Sequence, residues 1–259
     1  CDNDEGWSIV DGHSRTVADS FGFAYSHVKS NLREMLDDRV LNKYLAERKT
    51  GYEWWHELQH GIGMISLAAP LAYTLSSPLI YIASSFSFRD KGKYTCASDP
   101  TIDNEFAAGP ARACHDGYEL TRQDKLEEIV RYAEGSPTPI SLRVCYHVQS
   151  GKNCCHCEKC GRTILGIYAA GGDPRQFGFG YLGAKLLILS FRMRFFFKLI
   201  YPMYYFIRED ALKHKSSVPK CLRWILSDDL EHICDNGFKR GWDRFHKFGA
   251  SLYHKMVGE

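Results

Sequence analysis

The chain has 259 residues, 44% of them hydrophobic and 25% charged, and a formal net charge of +2. This is the composition of a folded protein of one large domain or two small ones; it excludes a disordered chain and offers no global charge for nucleic acid. The first residue is Cys1 rather than Met, and the opening CDNDEGWSIVDGHSRTVADSFGF is polar turn material with no secretory signal peptide and no apolar strand. It reads as a chain entered part-way.

Residues 14–21 suit a helix that ends at Gly22, and residues 23–28 (FAYSHV) alternate as a strand would, so the start resembles half of a βαβ unit. From Gly61 to Phe88 there is no charged residue over 28 positions. Pro70, Pro78 and the serines between them argue against a membrane span and divide the run into a helix over 54–74 and a strand, LIYIA, over 79–83. A buried helix on a buried parallel strand has the same hydropathy. Ser84 and Ser85 follow the strand; they are either a simple turn or polar groups at a strand's carboxyl end, where open α/β sheets bind ligands. Within the helix, His56-Glu57-Leu58-Gln59-His60 matches the zinc-protease pattern H-E-x-x-H, with Glu57 as its base, although a core helix accounts for the same residues.

Residues 89–117 show no period and contain Asp99, Asp103 and Asp116, which predicts a long, functional loop. A helix is expected over 120–134, capped by Thr121 with Asp124 as the capping-box acid, and with Leu126, Ile129, Val130 and Ala133 on its inner face. Arg122 and Lys125 stand at its amino end, beside exposed backbone N–H groups, where they would suit an anion or simply face solvent. A third strand is expected over 141–146 (SLRVCY), and it delivers Cys145 to the next motif.

That motif carries the strongest chemical signal. Cys145, Cys154, Cys157 and Cys160 form C-x8-C-x2-C-x2-C, followed by Arg162. Four soft thiolates within 16 positions suit a closed tetrahedral zinc site. The flanking Lys152, Glu158, Lys159 and Arg162 make a poor setting for buried apolar cysteines, and spacing also admits Cys155 and His156 as ligands. Cys1, Cys96, Cys114, Cys221 and Cys234 are scattered, which points to reduced thiols and a cytoplasmic location.

GGDPRQFGFG (171–180) reads as a linker or cap turn. Beyond it, basic residues interrupt KLLILSFRMRFFFKLIYPMYYFIRED too often for a spanning helix. An amphipathic helix kinked near Pro202 is expected, packed on the core or, over 181–207, touching a membrane surface or a partner. Residues 219–234 and 238–256 read as two further helices; Trp224, Trp242 and Phe245 are assigned to the core, and His246 and His254 lack ligand spacing.

The order of these features, with Ser84-Ser85 after a strand, Thr121-Arg122-x-x-Lys125 opening a helix, SLRVCY, the four cysteines and NCCHCEKCGRTILGIYAAGG, resembles the carboxyl-terminal part of PP-loop ATP-pyrophosphatases of the 7-cyano-7-deazaguanine synthase type. The resemblance covers roughly residues 14–180 and is specific at the zinc segment. It implies an α/β fold: a partial adenine-nucleotide α-hydrolase-like parallel sheet over 1–172, with a four-cysteine zinc site, followed by a helical extension over 173–259. It further implies an ATP-dependent ligase, using Mg2+ with ATP, that adenylates a carboxylate or amide oxygen and releases pyrophosphate before a nitrogen nucleophile displaces AMP. Zinc on Cys145, Cys154, Cys157 and Cys160 would be structural, while Ser84, Ser85, Asp103, Asp116, Arg122, Lys125 and Arg162 would line the nucleotide and substrate side. The family's SGGxDS phosphate loop is not in these 259 residues, a departure from the pattern that reads either as a chain entered after its first strand, loop and helix or as a degenerate, non-catalytic relative. The partners implied are a small-molecule substrate and a second copy of the chain. Two other readings stand beside the ligase: a non-catalytic zinc-stapled scaffold, and a metalloprotease built on His56 and His60.

Overall fold

Helices dominate the computed structural model, which describes residues 4–49, 52–93, 95–145, 151–180 and 183–235. In chain order they are α1 (Asp4–Ser20), α2 (Leu32–Met35), α3 (Asp38–Glu47), α4 (His60–Thr74), α5 (Pro100–Asp103), α6 (Arg122–Gly135), α7 (Glu158–Ala169), α8 (Gly183–Phe195), α9 (Tyr201–Lys213) and α10 (Leu230–Cys234). The strands are β1 (Leu79–Ala83), β2 (Ala107–Ala108) and β3 (Ala111–Asp116). The chain divides into two compact units, a sheet unit of Ser26–Arg122 and a helical unit formed by Cys1–Tyr25 with Gln123–Glu259. None of the described helices is long and apolar enough to cross a membrane.

In the sheet unit the strand order is β1-β3-β2. β1 runs parallel to β3, from Leu79 opposite Arg112 to Ala83 opposite Asp116, whereas β2 is antiparallel to β3. The sheet is therefore small and mixed. The expected loop over 89–117 contains β3, whose sequence ARACHD alternates buried and outward residues. Ala111, Ala113 and His115 mark its inner face so weakly that the two-residue period does not stand out. β1 has its predicted bounds but is not buried: Tyr81 is 63% exposed, and only Ile82 turns fully inward. Its core is correspondingly thin, with Ile65 of α4, Ile82 and Ala113 backed by Ile80 and Phe106. Pro70 lies within α4, ahead of the break at Ser76 and Ser77.

The helical unit is built around α7. Ile164, Leu165 and Ile167 are fully buried among Leu126 and Val130 of α6, Leu189 and Met193 of α8, and Tyr204, Ile207 and Ala211 of α9. Each such side chain contributes about 1.5–3 kcal/mol by leaving water. Gly161 lets α8 close on α7, since a Cβ there would lie 2.6 Å from Met193 Sδ. Within this packing Gln123 Nε2 donates to Gly166 O at 3.0 Å and to Asp210 Oδ2 at 2.9 Å, linking α6, α7 and α9 through buried polar groups. Residues on both sides of position 172 share this core, and the boundaries of the compact units fall elsewhere than at that position.

Several elements differ from expectation. α1 begins at Asp4, well ahead of residue 14, and residues 23–28 carry no strand pairing. Nor do residues 141–145: Leu142 N donates to Phe177 O at 3.0 Å, Val144 N to Asn153 Oδ1 at 3.0 Å, and Asn153 Nδ2 to Leu142 O at 2.7 Å. A side-chain amide and a loop carbonyl take up the backbone groups that a neighbouring strand would have paired. Tyr146 lies outside the described residues, as do residues 238–256 with Trp242, Phe245, His246 and His254. The single kinked helix is two helices, α8 and α9, with Pro202 in the first turn of α9, where its missing N–H costs nothing. Residues 219–234 form a 3-10 stretch (Lys220–Leu226) and α10.

Candidate functional site

Asn153 grips both sides of the segment ahead of Cys145, and Arg143 Nε donates to Gly151 O at 2.8 Å, so residues 142–144 are fastened to residues 151–153. The chain then turns at Cys155, which takes a left-handed conformation with φ 57°, and enters α7 with Cys157 as its N-cap. These turns gather the sulfurs of Cys145, Cys154, Cys157 and Cys160 within 4.8 Å of one another. Cys145 Sγ and Cys157 Sγ are 3.9 Å apart, and Cys154 Sγ and Cys160 Sγ 3.8 Å. Those lengths are tetrahedron edges, because a metal–sulfur bond of about 2.3 Å implies sulfurs about 3.8 Å apart. They are far longer than a disulfide bond of about 2.05 Å.

The set can hold a metal such as zinc. Burial pushes the Cys157 thiol up to about 11 and drives the Cys160 thiol well above its ordinary value, and the Cys154 sulfur adds to both effects. Four thiols this close together, two of them buried and two half-buried, cannot all ionise together without a cation, and a bound dication supplies the charge that favours the thiolates as their protons leave. The amino end of α7 adds its N–H dipole, with Cys160 N donating to Cys157 Sγ at 3.5 Å. Cys155 and His156 stay outside the sulfur cluster: the Cys155 thiol donates to Asn153 O at 3.7 Å, and His156 Nδ1 lies 2.8 Å from Cys154 O.

In the sheet unit, the carboxyl ends of the parallel pair come together. Ser84 N donates to Asp116 O at 2.8 Å, extending the ladder by one bond, and Ser84 Oγ donates to Gly117 O at 2.7 Å. Ser85 is half-buried beside it and the Asp116 side chain is exposed. Asp103, by contrast, is completely buried, with Oδ2 receiving Ser98 Oγ at 2.9 Å and lying 2.7 Å from His115 Nδ1. Of the remaining predicted residues, Arg122 falls in the sheet unit, whereas Lys125 and Arg162 fall in the helical unit. Arg122 is exposed and Lys125 half-buried on the first turn of α6. Arg162 is 9% exposed in the helical core, its Nη1 2.9 Å from Met203 Sδ and 3.5 Å from Glu158 Oε1. Tyr204 OH donates to that same carboxylate atom at 3.0 Å, so Arg162 braces α7 against α9.

Of the H-E-x-x-H residues, His56 and Glu57 lie on a π-helical turn, Trp54–Gln59, and His60 opens α4 directly after it. Such turns are rare and frequent at functional sites. Glu57 Oε2 accepts Glu53 N at 2.6 Å, an N-terminal cap rather than the posture of a base facing a metal-bound water. His56 and His60 do share a side with ring centroids 6.2 Å apart, and Cys96 meets them from the loop ahead of α5. Burial, and then His56, lower the pKa of His60; burial raises that of Cys96. Cys96, His115 and Gln123 escape detection in sequence, since each is a lone residue whose partner lies far along the chain. Comparison with protein-family models, with curated proteins and with solved structures returns no match for this chain.

Proposed function

We propose that this protein is an ATP-dependent ligase of the PP-loop type, whose four-cysteine zinc is structural and whose substrate seat is the edge formed by the carboxyl ends of β1 and β3. The observation that carries this reading is the meeting of Ser84, Ser85 and Asp116 at the end of a parallel strand pair. Parallel strands present their ligands at that end, where the loops diverge and backbone groups are left unpaired by the ladder. The zinc segment supports the same reading through the family resemblance, with Cys145, Cys154, Cys157 and Cys160 as its ligands. The triphosphate, with Mg2+, enters through the resemblance alone.

In this reading Asp116 and the two serines orient the group to be adenylated, and the buried Asp103–His115 pair holds β3 in place beneath them. Zinc takes no part in the reaction; it ties the loop after Cys145 to α7. ATP–pyrophosphate exchange, measured on the protein expressed from its whole reading frame, is the test. Exchange that falls at least tenfold in Asp116→Asn, with zinc content unchanged, is the expected result. Absence of nucleotide binding and of exchange in the zinc-loaded protein would favour the non-catalytic zinc-stapled scaffold.

A further inference from the structure

We propose that His56, His60 and Cys96 form a second metal site, a three-ligand seat for a zinc-class divalent cation with its fourth position open to water or to an incoming ligand. The nitrogen and sulfur ligand atoms of the three side chains lie within 4.8 Å of one another. His60 Nδ1 and Cys96 Sγ are 3.5 Å apart. A tetrahedral ion with bonds of about 2.0–2.1 Å to nitrogen and about 2.3 Å to sulfur sets those atoms about 3.5 Å apart. A simple histidine–thiol hydrogen bond would account for that distance, but it would leave unexplained the second imidazole converging on the same point.

Two features build the site. The π-helical turn carries His56 on the same side as His60, and the Cys96 loop is fastened to that turn by Ala97 N, which donates to His56 O at 2.9 Å. Gly61 then allows the loop to lie against α4: a Cβ at this position would be 2.1 Å from Asp103 Oδ1 and 2.9 Å from Ala97 O. Asp103 Oδ1 is buried without a hydrogen-bond partner, so a carboxylate oxygen that accepts no hydrogen bond stands beside the residue that follows His60. Its negative charge would favour a cation held by two neutral imidazoles and one thiolate. Three protein ligands with an open position are the pattern of zinc sites that bind an exchangeable fourth ligand, in contrast to closed four-thiolate sites.

The experiment is metal titration of the full chain, stripped with a chelator and reloaded with Co2+ and then Zn2+, with metal content read by elemental analysis and ligand type by the Co2+ spectrum. About two equivalents per chain are expected, one with an all-thiolate spectrum and one with a weaker thiolate band from a single sulfur. Cys96→Ser and His60→Gln should each remove the weaker band and reduce the content to about one equivalent, with the all-thiolate spectrum intact as the internal sign of a folded helical unit. A single equivalent in the unsubstituted chain overturns the proposal. So does a second equivalent that persists in the double variant. Because the readout is metal content, neither result depends on ATP–pyrophosphate exchange.

Discussion

The two units organise their cysteines and their cores in opposite ways. The four-cysteine cluster of the helical unit draws all its ligands from residues 145–160 and sits against a deep core that includes Ile164, Leu165 and Met193. The His56–His60–Cys96 cluster of the sheet unit joins two separate segments, and the buried apolar cluster of its unit is small, formed by Ile65, Ile82 and Ala113. A contiguous ligand set closes a short loop, so little chain entropy opposes its formation. The dispersed set can form only after the loop before α5 has docked on α4. The first cluster can thus be assembled by local turns, whereas the second depends on the packing of its unit.

Removing a buried sulfur strikes this contrast at its strongest point. Cys160→Ser should abolish metal binding at the four-cysteine site and cost the helical unit several kcal/mol, as loss of a structural metal does. The check is elemental analysis together with thermal unfolding followed by circular dichroism. Retained zinc with an unchanged unfolding midpoint would remove the site from the fold's foundations.

Gly61→Ala probes the other side. Its new methyl must displace the Asp103 carboxylate or the Ala97 carbonyl, at a cost of about 1–3 kcal/mol to the sheet unit. Hydrogen exchange should show β1 and β3 opening more readily, with α7 protected as before. Equal loss of protection in α7 would mean that the two units do not respond separately.

Asn153→Ala tests how Cys145 is delivered to the helical unit's cluster. It leaves Leu142 O and Val144 N without their side-chain partner and should cost about 1–3 kcal/mol. Weaker zinc affinity in a chelator competition is the accompanying result; unaltered affinity would mean that the cysteines alone shape the loop.

The smallest effect is expected at Asp173. Its carboxylate caps the turn Pro174–Phe177 by accepting Arg175 N at 3.0 Å and also pairs with the Arg175 guanidinium, which holds its pKa below the usual 3.8. A carboxyl with a lowered folded-state pKa stabilises the fold above the unfolded value, and that stabilisation is lost as pH falls through the folded one. Asp173→Asn should therefore cost about 0.5–1 kcal/mol at neutral pH and nothing in strong acid. A cost independent of pH would assign the effect to packing.

Local pattern and tertiary outcome part company at identifiable residues. The run LIYIA between Pro78 and Ser84 reads as a strand because five apolar residues between turn formers have few alternatives, and it is β1 with those bounds. The inner face of α6 is equally legible, with Leu126 and Val130 buried and Ile129 and Ala133 packed beside them. FAYSHV and SLRVC have the alternation of strands and lack the neighbour that would make them so. A strand exists only through its partner, and no local pattern specifies that partner.

The four-cysteine cluster is written in the amino-acid order, since its ligand spacing is short enough for local turns to close the site, and so is the helix that follows, whose apolar residues repeat with the helical period. Only the folded chain reveals that Arg162 braces a helical core, that β3 lies in what reads as a loop, and that Cys96 meets His56 and His60. The physical reason is separation along the chain. Contacts within one or two turns are encoded in neighbouring side chains, whereas contacts between distant segments depend on which surfaces bury one another.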